Sequence, residues 1–293
     1  MRSLISVRDL TRDDVMGIIN IAKDIKNGKT PRMDGDIALL FLEPSTRTRI
    51  SFEKAVRTLG MTPYTVTDST SSMVKGESFQ DTILTFAFLG FRAVVFRIPF
   101  TLFPYEDLVN RSGISLINAG DSSHQHPTQG LIDLFTLTES FGDVENRRVL
   151  FVGDILYSRV FRSTAPLLKL FGARIGVSGP RTLIPRDIHV FEVEKVFDDV
   201  DEGIEWADAV IWLRLQKERQ RDNLISSEKS YFMQFGLTEE RHKKLKGYFM
   251  HPGPVNRNVD IDGDLIYSEK SLIKDQVRNG IFIRTAVLSW CLG

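Results

Sequence analysis

Asp36-Ile37-Ala38-Leu39-Leu40-Phe41-Leu42-Glu43-Pro44-Ser45-Thr46-Arg47-Thr48-Arg49 is an apolar run that breaks directly into hydroxyls and arginines. A continuous apolar run flanked by turn residues reads as a strand buried on both faces, as in a parallel sheet packed between helices. Ser45 and Thr46 are residue types that cap helix N-termini, so a helix over residues 46–59 follows the strand. The same strand-and-helix unit recurs downstream. Residues 62–67, 93–97 and 114–118 read as strands, with helices over 77–89, 102–110 and 128–140. A second set begins at residue 148. Strands over 148–152, 174–178, 189–193, 209–213 and 248–250 alternate with helices over 158–171, 201–206 and 237–245, and a helix over 284–290 closes the chain. This alternation predicts an α/β protein built on parallel sheets.

Length and composition set the frame. The chain has 293 residues, too many for one ordinary core and comfortable for two domains. Hydrophobic residues make up 42% and charged residues 26%, the balance of a water-soluble globular chain. Lys+Arg and Asp+Glu both number 38, so there is no basic excess to wrap nucleic acid. No apolar run approaches the ~18 residues needed to span a bilayer, and the first residues lack a signal-peptide core. Cys291 is the one cysteine, so no internal disulfide forms. The expected location is cytoplasmic, with neither membrane nor nucleic acid as partner.

In parallel sheets ligands collect at the carboxyl ends of the strands. The residues after Leu42, Val95, Asn118, Val152, Leu213 and Met250 are polar, or are Gly and Pro. After Leu42, three hydroxyls and two arginines meet a helix N-terminus, whose free N–H groups and positive dipole end attract anions. Arg47 adds a planar fork suited to phosphate oxygens. After Leu213, the run Arg214-Leu215-Gln216-Lys217-Glu218-Arg219 offers cations for carboxylates. Gly153-Asp154 ends a strand, but the glycine fingerprint of a dinucleotide site is absent. That argues against a nicotinamide-dependent dehydrogenase.

These motifs together carry a resemblance. Ser45-Thr46-Arg47-Thr48-Arg49 resembles the carbamoyl phosphate loop of the aspartate and ornithine carbamoyltransferases, and His126-Pro127-Thr128-Gln129 resembles the family's His-Pro-Thr-Gln segment. The resemblance runs from Ser3 to the final helix. It implies a carbamoyl phosphate-binding domain over 1–135 plus 273–293 and an aspartate-binding domain over 136–272. Each is a parallel sheet with helices on both faces, and two interdomain helices join them.

The resemblance also implies the site. Ser45, Thr46, Arg47, Thr48, Arg97, His126 and Gln129 match carbamoyl phosphate ligands, with Arg47, Thr48, Arg97 and His126 as the catalytic set. His124 falls outside the match and reads as structural. Lys75, Arg159, Arg214 and Gln216 match the aspartate side. Ser71 (or its neighbour Ser72) and Lys75 match a loop that enters the site of an adjacent subunit, which implies a homotrimer with shared sites. Pro252, Gly253 and Pro254 match a loop that contacts substrate through its backbone. Ornithine enzymes typically carry a His-Cys-Leu-Pro run there, and this chain has His251-Pro252-Gly253-Pro254. Leu156 stands where some relatives have lysine and Val160 where some have threonine. The implied reaction is carbamoyl transfer from carbamoyl phosphate to L-aspartate, a step of pyrimidine synthesis, without cofactor or metal. Relatives act as bare trimers, with regulatory chains or with dihydroorotase, and the sequence does not select among these.

Overall fold

The computed structural model describes residues 1–68, 76–102, 104–216 and 227–293. The chain divides into two compact units, Met1–Leu131 with Asn279–Gly293, and Ile132–Arg278.

In the first unit, β1 (Asp36–Phe41), β2 (Thr62–Thr67), β3 (Ala93–Ile98) and β4 (Ser115–Asp121) form a parallel sheet of order β2-β1-β3-β4. Both faces of β1 are shut from solvent from Ile37 to Phe41, as its unbroken apolar run requires. Helices α2 (Thr46–Thr58), α3 (Phe79–Phe88) and α4 (Glu106–Ser112) connect the strands. Phe79 of α3 meets Phe96 of β3 edge-on, with ring centroids 5.6 Å apart, in a core shared with Leu40, Val94 and Leu116. Two elements depart from the sequence reading. Helix α1 (Arg12–Lys26) was not among the expected elements, although its signals are strong. Thr11 and Asp14 form a reciprocal capping box, and Val15, Ile18, Ile19, Ala22 and Ile25 are buried along one stripe. Helix α4 begins at Glu106 rather than near residue 102.

In the second unit, β5 (Arg148–Val152), β6 (Arg174–Ser178), β7 (Lys195–Phe197), β8 (Ala209–Trp212) and β9 (Tyr248–Met250) form a parallel sheet of order β7-β6-β5-β8-β9. Its helices are α6 (Arg159–Leu170), α7 (Val200–Trp206), α8 (Glu228–Phe235) and α9 (Glu239–Lys244). The strand expected over 189–193 is absent. Ile188–Phe191 is a 3-10 turn, and Glu192 closes it at φ +52°, which breaks the extended path. The edge strand β7 comes later and is three residues long. Helix α8 was also unread. Trp212 of β8 anchors it by donating from Nε1 to the Phe235 carbonyl at 3.0 Å.

Helices α5 (Pro127–Phe141) and α10 (Ile273–Leu292) each contain a boundary between the units. Helix α10 spans 20 residues, far longer than the 284–290 expected. Gly280 and the β-branched Ile281 and Ile283 lower local helix propensity and mask its continuity. Among the described residues no helix is long and apolar enough to cross a membrane.

Candidate active site

Because β1, β3 and β4 are parallel neighbours, their carboxyl ends share one edge of the first sheet. At the end of β1, Ser45 occupies the N-cap of α2, and its side chain makes no capping hydrogen bond. Ser45 therefore does not cap the first turn of α2 through its side chain, and a helix N-terminus is a place to which anions are drawn. Thr46 and Arg47 are exposed there, Arg49 is partly buried, and Thr48 is buried.

Arg97 lies on β3, one residue before its end, and is ion-paired with Glu43 from the loop after β1 (Nε to Oε2, 3.4 Å). Its Nη1 donates to the Ala119 carbonyl at 3.3 Å. There the β3–β4 register shifts between Phe96 and Ile98. Such irregularities re-aim side chains at sheet ends.

The loop from β4 into α5 is organised by Asp121, which is fully buried. Its carboxylate accepts from Asn118 Nδ2 (2.9 Å), Gln125 N–H (2.9 Å) and Leu102 N–H (3.4 Å), and lies 2.9 Å from His124 Nδ1. His124 thus has the structural part its place outside the motif suggested. His126 follows, buried, with its carbonyl accepting the Gln129 and Gly130 amides at 2.9 and 3.2 Å. Pro127 opens α5, where a missing N–H costs nothing. Thr128 and Gln129 are buried in the first turn. The first unit therefore sets Ser45–Arg49, Arg97 and His126–Gln129 along one edge.

In the second unit the neighbouring ends of β5, β8 and β9 gather the other predicted residues. Asp154 follows β5, is fully buried, and accepts from the Tyr157 and Gln216 amides at 3.0 and 3.2 Å. Gln216 also donates from Nε2 to the Tyr157 carbonyl at 3.0 Å, which ties the loop after β8 to the loop after β5. Arg159 is buried at the start of α6, whose N-cap Ser158 accepts from the Phe161 amide. Burial pushes the Arg214 guanidinium down; Asp260 and Asp154 oppose that shift, and the charge of Arg159 adds to it. Two arginines and two buried carboxylates are therefore within electrostatic reach of one another. Tyr231 joins them, fully buried, its hydroxyl pushed well up by burial and then by Asp260 and Asp154. A side chain on Gly153 would meet the Tyr231 hydroxyl at 2.6 Å and the Leu213 carbonyl at 2.9 Å, so only glycine lets the two loops approach.

After β9, the Gly253 amide donates to His251 Nδ1 at 2.8 Å and so shapes the turn through Pro252, Gly253 and Pro254. Leu156 donates its amide to the Leu183 carbonyl. Ser71, Ser72, Lys75 and residues 217–219 lie outside the described residues. Among the described residues no group of three or more His, Cys, Asp or Glu is set to hold a metal ion. Sequence reasoning missed Asp121 and Asp260 altogether. Asp121 was findable as an acid at a strand end, whereas nothing local distinguishes Asp260.

Residues 2–139 match the aspartate/ornithine carbamoyltransferase carbamoyl-P binding domain, and residues 145–291 match the Asp/Orn binding domain of the same enzymes. The chain belongs to the aspartate/ornithine carbamoyltransferase family. Among curated carbamoyltransferases it is 63% identical over 287 residues to the aspartate carbamoyltransferase catalytic subunit of Aquifex aeolicus, covering 98% of each chain. Among solved carbamoyltransferases it resembles the aspartate transcarbamoylase of Trypanosoma cruzi in complex with carbamoyl phosphate and aspartate. The TM-score is 0.84 at 26% identity, covering 100% of this chain and 97% of that one. The ornithine carbamoyltransferase of Pyrococcus furiosus fits with a TM-score of 0.85 at 25% identity, covering 100% and 97%. Backbone shape is thus common to both branches of the carbamoyltransferases, and side chains must choose the amine.

Proposed function

We propose that the chain acts as an aspartate carbamoyltransferase, moving the carbamoyl group of carbamoyl phosphate to the amine of L-aspartate. The products are N-carbamoyl-L-aspartate and phosphate, an entry to pyrimidine synthesis. The observation that carries this reading is the placement of two arginines after neighbouring strands of one sheet, Arg159 buried at the start of α6 beyond β5 and Arg214 just beyond β8. Two fixed cations suit an acceptor with two carboxylates, since each guanidinium can take a carboxylate through two charge-assisted bonds. Ornithine carries one carboxylate and a second amine, for which a second arginine is repulsive.

In this reading Ser45, Thr46, Arg47 and the amides of α2 take the phosphate. Thr48, Arg97 and His126 face the carbamoyl oxygen, and Gln129 takes the carbamoyl NH₂ through its amide oxygen. The neutral amine attacks the carbamoyl carbon, a C–N bond forms, and the C–O bond to phosphate breaks. The electron pair leaves with phosphate, and the amine proton passes to a phosphate oxygen. Holding two substrates in attack geometry supplies roughly 7–11 kcal/mol. Each donor aimed at the developing oxyanion adds about 2.7–4 kcal/mol. Gln216 and the Pro252-Gly253-Pro254 backbone complete the aspartate side. Ser71 and Lys75 from an adjacent subunit complete the site in a cytoplasmic homotrimer.

The test is phosphate release by the purified chain with carbamoyl phosphate and either aspartate or ornithine, across a protein dilution series. Turnover with aspartate, with specific activity falling on dilution, fits the reading. Turnover with ornithine alone contradicts it.

A further inference from the structure

Five residues of the second unit form a hydrogen-bonded chain away from solvent, which passes through the side chains of four of them and through both the backbone amide and the ring of His251. Thr164 Oγ1 donates to Asp133 Oδ2 at 2.8 Å, and Gln276 Nε2 donates to Asp133 Oδ1 at 2.8 Å. Gln276 Oε1 accepts the His251 amide at 3.0 Å. His251 Nε2 lies 3.2 Å from Asp260 Oδ2. None of the five residues is more than 4% exposed. The His251 tautomer follows from its neighbours. The Gly253 amide donates to Nδ1, so that nitrogen carries no proton, and Nε2–H donates to Asp260.

Asp260 is the joint of this chain. Its Oδ1 accepts the Leu215 amide at 3.2 Å, between Arg214 and Gln216. Its Oδ2 accepts the Asn256 amide at 2.9 Å as well as the His251 ring. Asn256 Nδ2 in turn reaches the Leu215 carbonyl at 3.4 Å. One buried carboxylate therefore fixes the loop after β8 and the loop after β9 together. The imidazole that completes it is held by the Gly253 amide on one nitrogen and Asp260 on the other, while Gln276 holds the backbone amide of the same residue.

We propose that Asp260, His251, Gln276, Asp133 and Thr164 are positioning residues for the amine substrate. They set the backbone of Arg214–Gln216 and of His251–Pro254 from the interior. This rests on the reading above, in which those two loops take aspartate. Apolar side chains could fill the same volume without stability loss, because buried charged networks rarely earn their desolvation. What apolar packing cannot supply is a fixed register between two loops. Misplacing such loops by ~1 Å costs up to about 100-fold in rate.

The polarity of the chain provides a test. Gln276→Glu sets a second carboxylate against Asp133 at hydrogen-bond distance. Gln276→Glu combined with Asp133→Asn exchanges amide and acid. The new amide oxygen still accepts from Thr164, its NH₂ donates to the new carboxylate, and that carboxylate still accepts the His251 amide. We expect Gln276→Glu to raise KM for aspartate about 10-fold or more, with the Kd for carbamoyl phosphate within about 2-fold. The double variant should return KM to within about 3-fold of wild type. If Gln276→Glu does not fold, Thr164→Val removes one donor with little change of shape and should raise KM for aspartate about 3-fold. Unchanged KM for aspartate in the variant that folds, equal weakening of carbamoyl phosphate binding, or a double variant no better than the single would each overturn the proposal. Wild-type protein inactive with aspartate would overturn the functional reading and this inference with it. Active wild type with unresponsive variants would overturn the inference alone.

Discussion

Arg97 and Glu43 face each other across the ends of neighbouring strands, with Nε 3.4 Å from the carboxylate and side chains only 13% and 18% exposed. In the proposed reading, the guanidinium that faces the carbamoyl group is therefore aimed by an acid in the loop that takes the phosphate. Removing that acid's charge frees Arg97 to swing. Glu43→Gln should lower kcat about 10-fold while KM for aspartate stays within about 2-fold, since charged hydrogen-bond partners contribute about 1.5 kcal/mol or more. Steady-state kinetics in both substrates checks this, and unchanged kcat counts against it.

His126 is buried where α5 begins, in a loop braced by Asp121. If its ring donates to the developing oxyanion, His126→Ala should lower kcat about 100- to 1000-fold. The Kd for carbamoyl phosphate should change far less, because the phosphate is held elsewhere. Calorimetric titration of carbamoyl phosphate, set beside kcat, separates the two. A loss confined to binding would assign His126 to the ground state.

Arg214 shares its surroundings with Arg159, Asp154 and Asp260. Arg214→Ala should raise KM for aspartate about 100-fold, the loss of roughly 3 kcal/mol of charge-assisted bonding. Binding of carbamoyl phosphate should be unaltered. A change smaller than about 5-fold would remove Arg214 from the aspartate side.

Much of the architecture was legible because parallel strands read as apolar runs. Thr62–Thr67, Arg148–Val152, Arg174–Ser178 and Tyr248–Met250 coincide with their sequence ranges. The failures have physical causes. Residues 189–193 contain the β-branched and aromatic types of a strand, but a left-handed Glu192 and an exposed Val190 mark a surface turn. The candidate site's residues could be proposed from sequence because most of them lie at or just after strand ends. Its scaffolding acids were less legible: Asp260 sits ten residues beyond the end of β9, and only the fold brings it to Leu215 and His251.

Asp208 gives a pH-dependent test of the second unit. Burial works to raise its carboxyl, yet hydrogen bonds from the Arg148 side chain and amide, with the charge of Arg148, hold it below the ordinary value. The bonds are 2.9 Å from the amide, 3.2 Å from Nε and 2.9 Å from Nη2. A carboxyl lowered by folding adds stability that is fully present above its unfolded pKa of about 3.9 and is lost as pH falls through the folded value. Asp208→Asn should therefore cost about 1 kcal/mol at pH 7, a Tm drop of about 2 °C. The deficit should shrink as pH falls below about 4. Calorimetry across pH checks the trend, and a deficit independent of pH contradicts it.

The choice of amine separates the two branches of the family. The most direct measurement is carbon NMR of the product formed from carbonyl-labelled carbamoyl phosphate with equal aspartate and ornithine present. Label should appear in N-carbamoyl-L-aspartate, with none in the ornithine product. Label on ornithine, or label that remains in carbamoyl phosphate under conditions where the protein is folded, would contradict the proposed function.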